Sequence, residues 1–463
     1  MMTSTSESHS MVNGQISWEA MIQAEVKKFN RDEEEKQLEK RSIYHLPAFA
    51  KMIKSATVLT PQVASFGPYH HGEQHLMLVE GYKKTALIHF LIKSQQPLQY
   101  FIDVMKTYVK DLQACYEFLD AKWQDEDKFI ELMITDGCFM LEVLRIHQNQ
   151  SKRTSYAKHD PIFSDHGAQH KLPYIKRDML MLENQLPLLV LKVLHQAETN
   201  NEINNLVFEF FEMEDMLHTN PDMGLHVLDL YRKGLIETHI QSNSNAAVAS
   251  TNYSCSSAQE NDKQPQQCEL LINTEASNGP MLTAVKLHES LIQFKPSGSK
   301  KMTSISFDKG TLKLPCLIID DATESALLNV MAFEHLHVGL EDVVSSYVCF
   351  MGELIESVAD LQLLRSKKII HMAVESDQAA TNLLNSLSKE VTHDPKGHME
   401  TVRNKVKEYC RKKWRRWLAN LLDLYFDTPW KTLSVIAAMV LLVLTFVQTF
   451  YSVFSYQHPS KKN

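Results

Sequence analysis

Leu433 to Phe454 is an unbroken run of 22 residues, LSVIAAMVLLVLTFVQTFYSVF, without a charged side chain. A bilayer hydrocarbon core about 30 Å thick needs roughly 20 apolar residues of helix to cross it. Lipid offers no partner to backbone polar groups, so a single crossing segment can only be a helix. The run therefore predicts one C-terminal transmembrane helix, with the rest of the chain folded in water. Gln448, flanked by Thr445 and Thr449, is its one strongly polar interruption, a group that can be satisfied within the helix or against a partner helix. Trp430, Tyr451 and Tyr456 sit at its ends, where interfacial aromatics belong. Nine residues follow the run, which predicts a tail anchor inserted after synthesis.

Charge is divided unevenly. From Thr401 to Asn463 eleven Lys and Arg stand against three acids, a net +8; the whole chain carries −8, leaving −16 on the remainder. Most of the basic charge precedes the run, which by the positive-inside tendency predicts a cytosolic body, with Lys461 and Lys462 pulling weakly the other way. No apolar signal-peptide core follows the first residues, in keeping with that orientation. The sequons at Asn149 and Asn252 matter only for a lumenal body. Within RKKWRRW, the cations Arg411, Lys412, Lys413, Arg415 and Arg416 are the candidates for gripping anionic lipid headgroups, each worth about 1 kcal/mol near the surface. A solvated helix face and an RNA-binding strip are the competing readings. The position ahead of a membrane span favours lipid, and no nucleic-acid partner is expected.

The body reads as mainly α. Gly is scarce, at 14 residues, which disfavours phosphate-cradling loops and turn-dense β architecture. A polar N-terminal segment with an exposed helix (residues 1–42) precedes the first part of a helical body (43–241). Residues 242–281 are Ser/Asn/Gln-rich with no apolar period and predict a disordered insertion. The second part of the body (282–428) holds the best strand signal, a β-hairpin around Asp308-Lys309-Gly310, and the basic juxtamembrane helix. The transmembrane helix (429–456) and a polar tail (457–463) complete the chain. Periodicity predicts helices over 76–93, 98–123, 128–147, 175–196, 324–337, 341–364, 377–387 and 399–425, the fourth kinked or broken near Pro187. Seven dispersed cysteines without a CxxC pair fit reduced thiols better than a disulfide framework or zinc finger. Cys138 and Cys349 read as core residues, and Cys410 as a possible acylation point beside the basic cluster.

The densest group of potential ligands is His70, His71, Glu73, His75 and Glu80. Zinc accepts imidazole nitrogen and carboxylate oxygen, and on a helix His71 and His75 would share a face. Pro68 and Gly72 oppose a helix starting before Glu73, and the spacing is not HExxH. The plainer expectation is a turn in which Tyr69 packs and the imidazoles bond to backbone or caps. Asp178 and Glu183 lie about 140° apart on a helix, too splayed for a carboxylate pair. Glu183-Asn184-Gln185 predicts instead a buried polar network that fixes packing register. Asp320 and Asp321 are a weak cation signal. No GxSxG, P-loop, GxGxxG or kinase signature occurs, so no catalytic, cofactor-binding or metal residue is assigned, and no cofactor.

Several separated blocks resemble one plant family, domain of unknown function 247. They are IYHLPAFAKMIKSATVLTPQVASFGPYHHGEQHLMLVEGYKK, ELMITDGCFMLEVL, RDMLMLENQLPLLVLKVL, the hairpin with VMAFEH and SSYVCFM after it, and YFDTPWKTLSVIAAMVLLVLTFVQTFYS. The resemblance spans roughly residues 43 to 456 apart from the insertion. HESLIQFKP departs from it, lacking the Gly of the family's Gly-Val-x-Phe stretch. What the resemblance implies is a membrane-attached recognition or signalling protein, since members have been linked to grass self-incompatibility, and no named reaction. The expected function is thus a single-pass, tail-anchored membrane protein of mainly α fold with a small β-hairpin, binding the bilayer and an unidentified protein partner. A metal-dependent enzyme centred on His70–His75 and a scaffold acting through the insertion are the alternatives.

Overall fold

The computed structural model describes residues 18–47, 56–148, 156–196, 202–216, 223–236, 281–373, 376–389, 397–411 and 429–457. The proposed insertion, but for Met281, lies outside them. So do Lys412, Lys413, Arg415 and Arg416, leaving Arg411 as the one headgroup candidate described.

The N-terminal helix is two: α1 (Trp18–Lys28) and α2 (Arg31–Lys40), parted where the Asn30 side chain accepts from the Asp32 N–H at 3.1 Å. That cap satisfies a donor the new helix would otherwise leave orphaned. After α3 (Ala56–Leu59) an irregular stretch leads into α4 (Met77–Ser94), α5 (Leu98–Ala114) and α6 (Glu126–Gln148). The last of these is the axis of the first half, with Phe129, Met133, Cys138, Phe139, Met140 and Leu144 all fully buried. A helix apolar on nearly every face must be covered on every face, and α4, α5, α9 (Leu188–Gln196) and α10 (Ile203–Phe210) pack around it. A Cβ on Gly137 would stand 2.6 Å from Leu194 Cδ1 and 2.8 Å from Val190 Cγ1; the glycine of the Asp-Gly-Cys-Phe block lets α9 approach.

The helix expected over 175–196 is not continuous. α7 (Asp165–His170) and α8 (Leu172–Asp178) precede a non-helical loop, Met179–Pro187, and only then does α9 begin. The break is wider than Pro187 alone demands, because the loop backbone is held by side chains described below. α11 (Val227–Leu235) closes the first half.

The second half opens with α12 (Ala284–Glu289) and a three-stranded sheet. The expected hairpin is present: β2 (Ser306–Asp308) and β3 (Thr311–Leu314) run antiparallel, with φ of 47° at Lys309 and 82° at Gly310. Positive φ at both turn residues matches the strand twist. β1 (Gln293–Pro296), in the stretch where the family's Gly is missing, pairs parallel with β3. β4 (Leu317–Ile319) and β5 (Ile370–Met372) form a second, parallel pair that the sequence did not suggest. Between them lie α13 (Thr323–Leu336), α14 (Val343–Leu354) and α15 (Val358–Ser366), followed by α16 (Asp377–Ser388) and α17 (His398–Arg411). The single helix expected over 341–364 is thus two, divided by a capping box in which Ser357 and Asp360 satisfy each other's backbone N–H. One contiguous core runs from Ile43 to Cys410 through both halves. Cys410 is buried in it, which corrects the expectation of an acylation point. The five described cysteines are free thiols.

α18 (Pro429–Gln457) is a helix of 29 residues. Among the described residues no helix is long and apolar enough to cross a membrane. The expected span Leu433–Phe454 falls on α18, and the expectation of a transmembrane helix is without support among the described residues.

Candidate functional site

The Pro-containing stretch after α3 has little secondary structure of its own, so its backbone donors must find partners elsewhere. They find the side chains of the Asp178–Gln185 block. Fully buried Asp178 accepts from the N–H groups of Gln62, Val63 and Ala64, the shortest 2.7 Å. Burial pushes its carboxyl above the usual range, and the three N–H donors pull it back. Asn184 accepts from the Phe66 N–H at 2.7 Å and donates to the Ala64 and Asp178 carbonyls. Glu183 accepts from the Leu46 N–H at 2.9 Å, while Gln185 donates to the carbonyls of Met179 and Met181. The expected polar network is real. It works as a clamp between two loops, not as a register pin within a helix. Gly67, at φ +75°, passes so close that a Cβ would sit 2.8 Å from the Gln185 carbonyl oxygen.

Asp136, from the Asp-Gly-Cys-Phe block, accepts from the Gly67 N–H and from Lys83 Nζ, each at 2.8 Å. Lys83 is fully buried and also reaches Glu80 and Ser65 Oγ, the latter at 3.0 Å. Burial raises the Asp136 carboxyl, opposed by the Lys83 ammonium. A serine hydroxyl beside a lysine can be a nucleophile and its base. Here both are sealed from solvent, and Lys83 Nζ is already taken up by three oxygen acceptors. The group is structural. The sequence did carry a signal for it: Lys83 falls on the buried face of α4 with Val79, Ala86 and Phe90, and a lone charge on an apolar face needs a partner.

The histidine group forms the expected turn. His70 Nδ1 lies 2.7 Å from Glu73, His75 Nε2 lies 3.0 Å from the Pro61 carbonyl, and His71 stands 3.9 Å from Glu80. Tyr69 stacks on His45 and packs edge-on against Tyr116. Among the described residues no three His, Cys, Asp or Glu side chains are grouped to hold a metal ion. Asp320 Oδ1 accepts from Thr323 Oγ1 and the Ala322 N–H at the start of α13, a turn-capping role.

A cleft of about 600 Å³ opens where the halves meet, between α8, α10, α11, β4 and α13. That volume lies within the usual range of small-molecule sites, about 300–1,000 Å³. Its walls include Leu180, Phe210, Phe211 and Leu327, with Lys176, Arg177, Tyr231, Lys300 and Tyr347 as polar members. Lys176 is committed to Glu212 at 3.4 Å and lies over the rings of Phe210 and Phe211. Burial pushes the Tyr231 phenol up to about 12, with the Asp320 charge adding to it, and raises Tyr347 further. Both phenols are therefore neutral hydroxyls at neutral pH. No local pattern in the sequence announces this cleft, because its walls come from two stretches, 168–235 and 300–347, that meet only in the fold.

Comparison with known proteins agrees with the motif blocks. Residues 43–444 match a family described as plant protein of unknown function, DUF247. The chain is 27% identical to UPF0481 protein At3g47200 of Arabidopsis thaliana, over 87% of this chain and 84% of that one. It is 23% identical to Putative UPF0481 protein At3g02645 of the same plant, over 89% and 90% respectively. No solved structure matches.

Proposed function

We propose that this chain, which belongs to the DUF247 family of plant proteins, is a single-pass membrane protein whose helical body acts by binding a protein partner. The observation that carries the reading is the surface of α18. In the body most large apolar side chains are gathered into one core, with exceptions such as Leu78, Phe118 and Val338. On α18, Leu433, Ile436, Met439, Leu442, Leu444 and Phe446 are all exposed. Leaving such side chains in water forfeits roughly 1.5–3 kcal/mol apiece. A helix of 29 residues, about 43 Å long, has the reach to place them in lipid. The basic residues on its N-terminal side favour a cytosolic body, with Arg411, Lys412, Lys413, Arg415 and Arg416 against the headgroups.

Binding is favoured over catalysis by how the polar side chains are spent. Asp136, Asp178, Glu183 and Asn184 all accept backbone donors inside the body, and Lys83 is sealed. A metal-dependent reaction at His70–His75 is not favoured, because His70 is tied to Glu73 and His75 to the Pro61 carbonyl, and no three ligands are grouped among the described residues. Alkaline carbonate extraction of membranes carrying the full chain tests the attachment, with protease digestion of an N-terminal tag in sealed microsomes testing the side. Retention in the pellet with a digested tag is expected. Release into the carbonate supernatant, or a protected tag, contradicts the proposal.

A further inference from the structure

We propose that the outer face of α7 binds a divalent transition-metal ion, copper(II), through two histidines, an activity separate from membrane attachment and partner binding. His166 and His170 lie four residues apart on this helix, so their side chains share a face. Both are exposed, and their ring centres stand 4.5 Å apart with the planes tilted by 51°. Neither imidazole has a hydrogen-bond or ion-pair partner among the described residues. That sets the pair apart from His70 and His75, whose nitrogens are engaged with Glu73 and the Pro61 carbonyl.

Imidazole suits copper, nickel and zinc alike, so geometry has to choose among them. A metal–nitrogen bond of about 2.0 Å sets each ring centre about 3.2 Å from the ion. Two imidazoles bound at a right angle then have centres about 4.5 Å apart, and two at the tetrahedral angle about 5.2 Å. The observed spacing matches the right angle, which belongs to the tetragonal ions copper(II) and nickel(II). Copper(II) binds more tightly than the other first-row divalent ions at nitrogen sites. The two histidines take adjacent corners of the square and leave the other two to water.

The backbone beneath the pair is fixed. Ser164 Oγ accepts from the Gly167 N–H at 3.2 Å, and the Lys171 N–H donates to the Gly167 carbonyl at 2.8 Å. Gly167 is buried, and a Cβ there would stand 2.5 Å from the Ile162 carbonyl oxygen, so α7 lies tight against the preceding loop. Ligands on a helix held this way lose little freedom when the ion arrives.

The test is titration of the full-length chain in non-ionic detergent with copper(II) chloride, read by calorimetry and by electron paramagnetic resonance. The chain holds 21 histidines, so His166→Asn, His170→Asn and the two combined locate the ion. All three variants alter exposed side chains, and circular dichroism confirms that they are folded. The native chain is expected to take up one copper(II) more than the double variant. Each single variant is expected to bind that ion at least tenfold more weakly, because a chelate needs both nitrogens. Native-strength binding in either single variant, or equal copper uptake by the native chain and the double variant, overturns the proposal.

Discussion

At the scale of single residues, the body is specified by charges that cannot be exposed and cannot be left alone. Lys83 and Asp136 are both fully buried and 2.8 Å apart. Removing one partner of such a pair strands the other, at about 3–5 kcal/mol, whereas replacing both by apolar groups is often near neutral. Lys83→Met is therefore expected to lose several kcal/mol by urea denaturation, and Lys83→Met with Asp136→Leu much less. His226 gives the pH dependence. Its Nε2 bonds the Ser42 carbonyl at 3.0 Å while its Nδ1 accepts from the Asp229 N–H at 3.2 Å, a pattern only the neutral ring can make. Burial, opposed by the Asp229 charge, lowers its pKa from 6.5 to about 4. Between those values the unfolded chain takes up a proton that the native chain refuses. The stability is whole above pH 6.5 and drains as pH falls toward 4, by about 3 kcal/mol at roughly 1.4 kcal/mol per pH unit. His226→Gln should flatten that loss between pH 7 and 4.5; an equal slope in both proteins argues that His226 is not buried neutral.

At the scale of elements, periodicity located the helices and polar side chains decided where they stop. The spans expected over 76–93, 128–147 and 377–387 differ from α4, α6 and α16 by no more than two residues at either end, because an apolar face at 3.6-residue spacing leaves little choice. The helices expected over 175–196 and 341–364 hide breaks. In the first, Asn184 and Gln185 capture backbone groups that a continuous helix would have used. In the second, Ser357 caps a new helix. Hydrophobic spacing does not register such captures. The Ser-x-x-Asp pattern was a readable hint, and Ser357→Ala should cost about 1 kcal/mol in thermal or urea unfolding. The hairpin was legible from Asp-Lys-Gly. β4 and β5 were not, being three-residue strands paired across the chain. The candidate site divides in the same way. The clamp lies in blocks that the sequence had already marked, whereas the cleft arises only when distant segments meet.

At the scale of the whole molecule, two surfaces differ in kind: a body that buries most of its apolar side chains in one core while exposing others such as Leu78, Phe118 and Val338, and a helix, α18, that displays a run of them from Met439 to Leu444. The most direct test of the account is flotation of the purified full chain with liposomes containing anionic lipid, compared with Leu441→Lys combined with Leu444→Lys. A lysine at mid-bilayer costs about 2.5–3.5 kcal/mol on insertion scales. The account predicts that the native chain floats with the vesicles in high salt and that the double variant stays at the bottom of the gradient. A native chain left at the bottom, or a double variant that floats equally well, contradicts it.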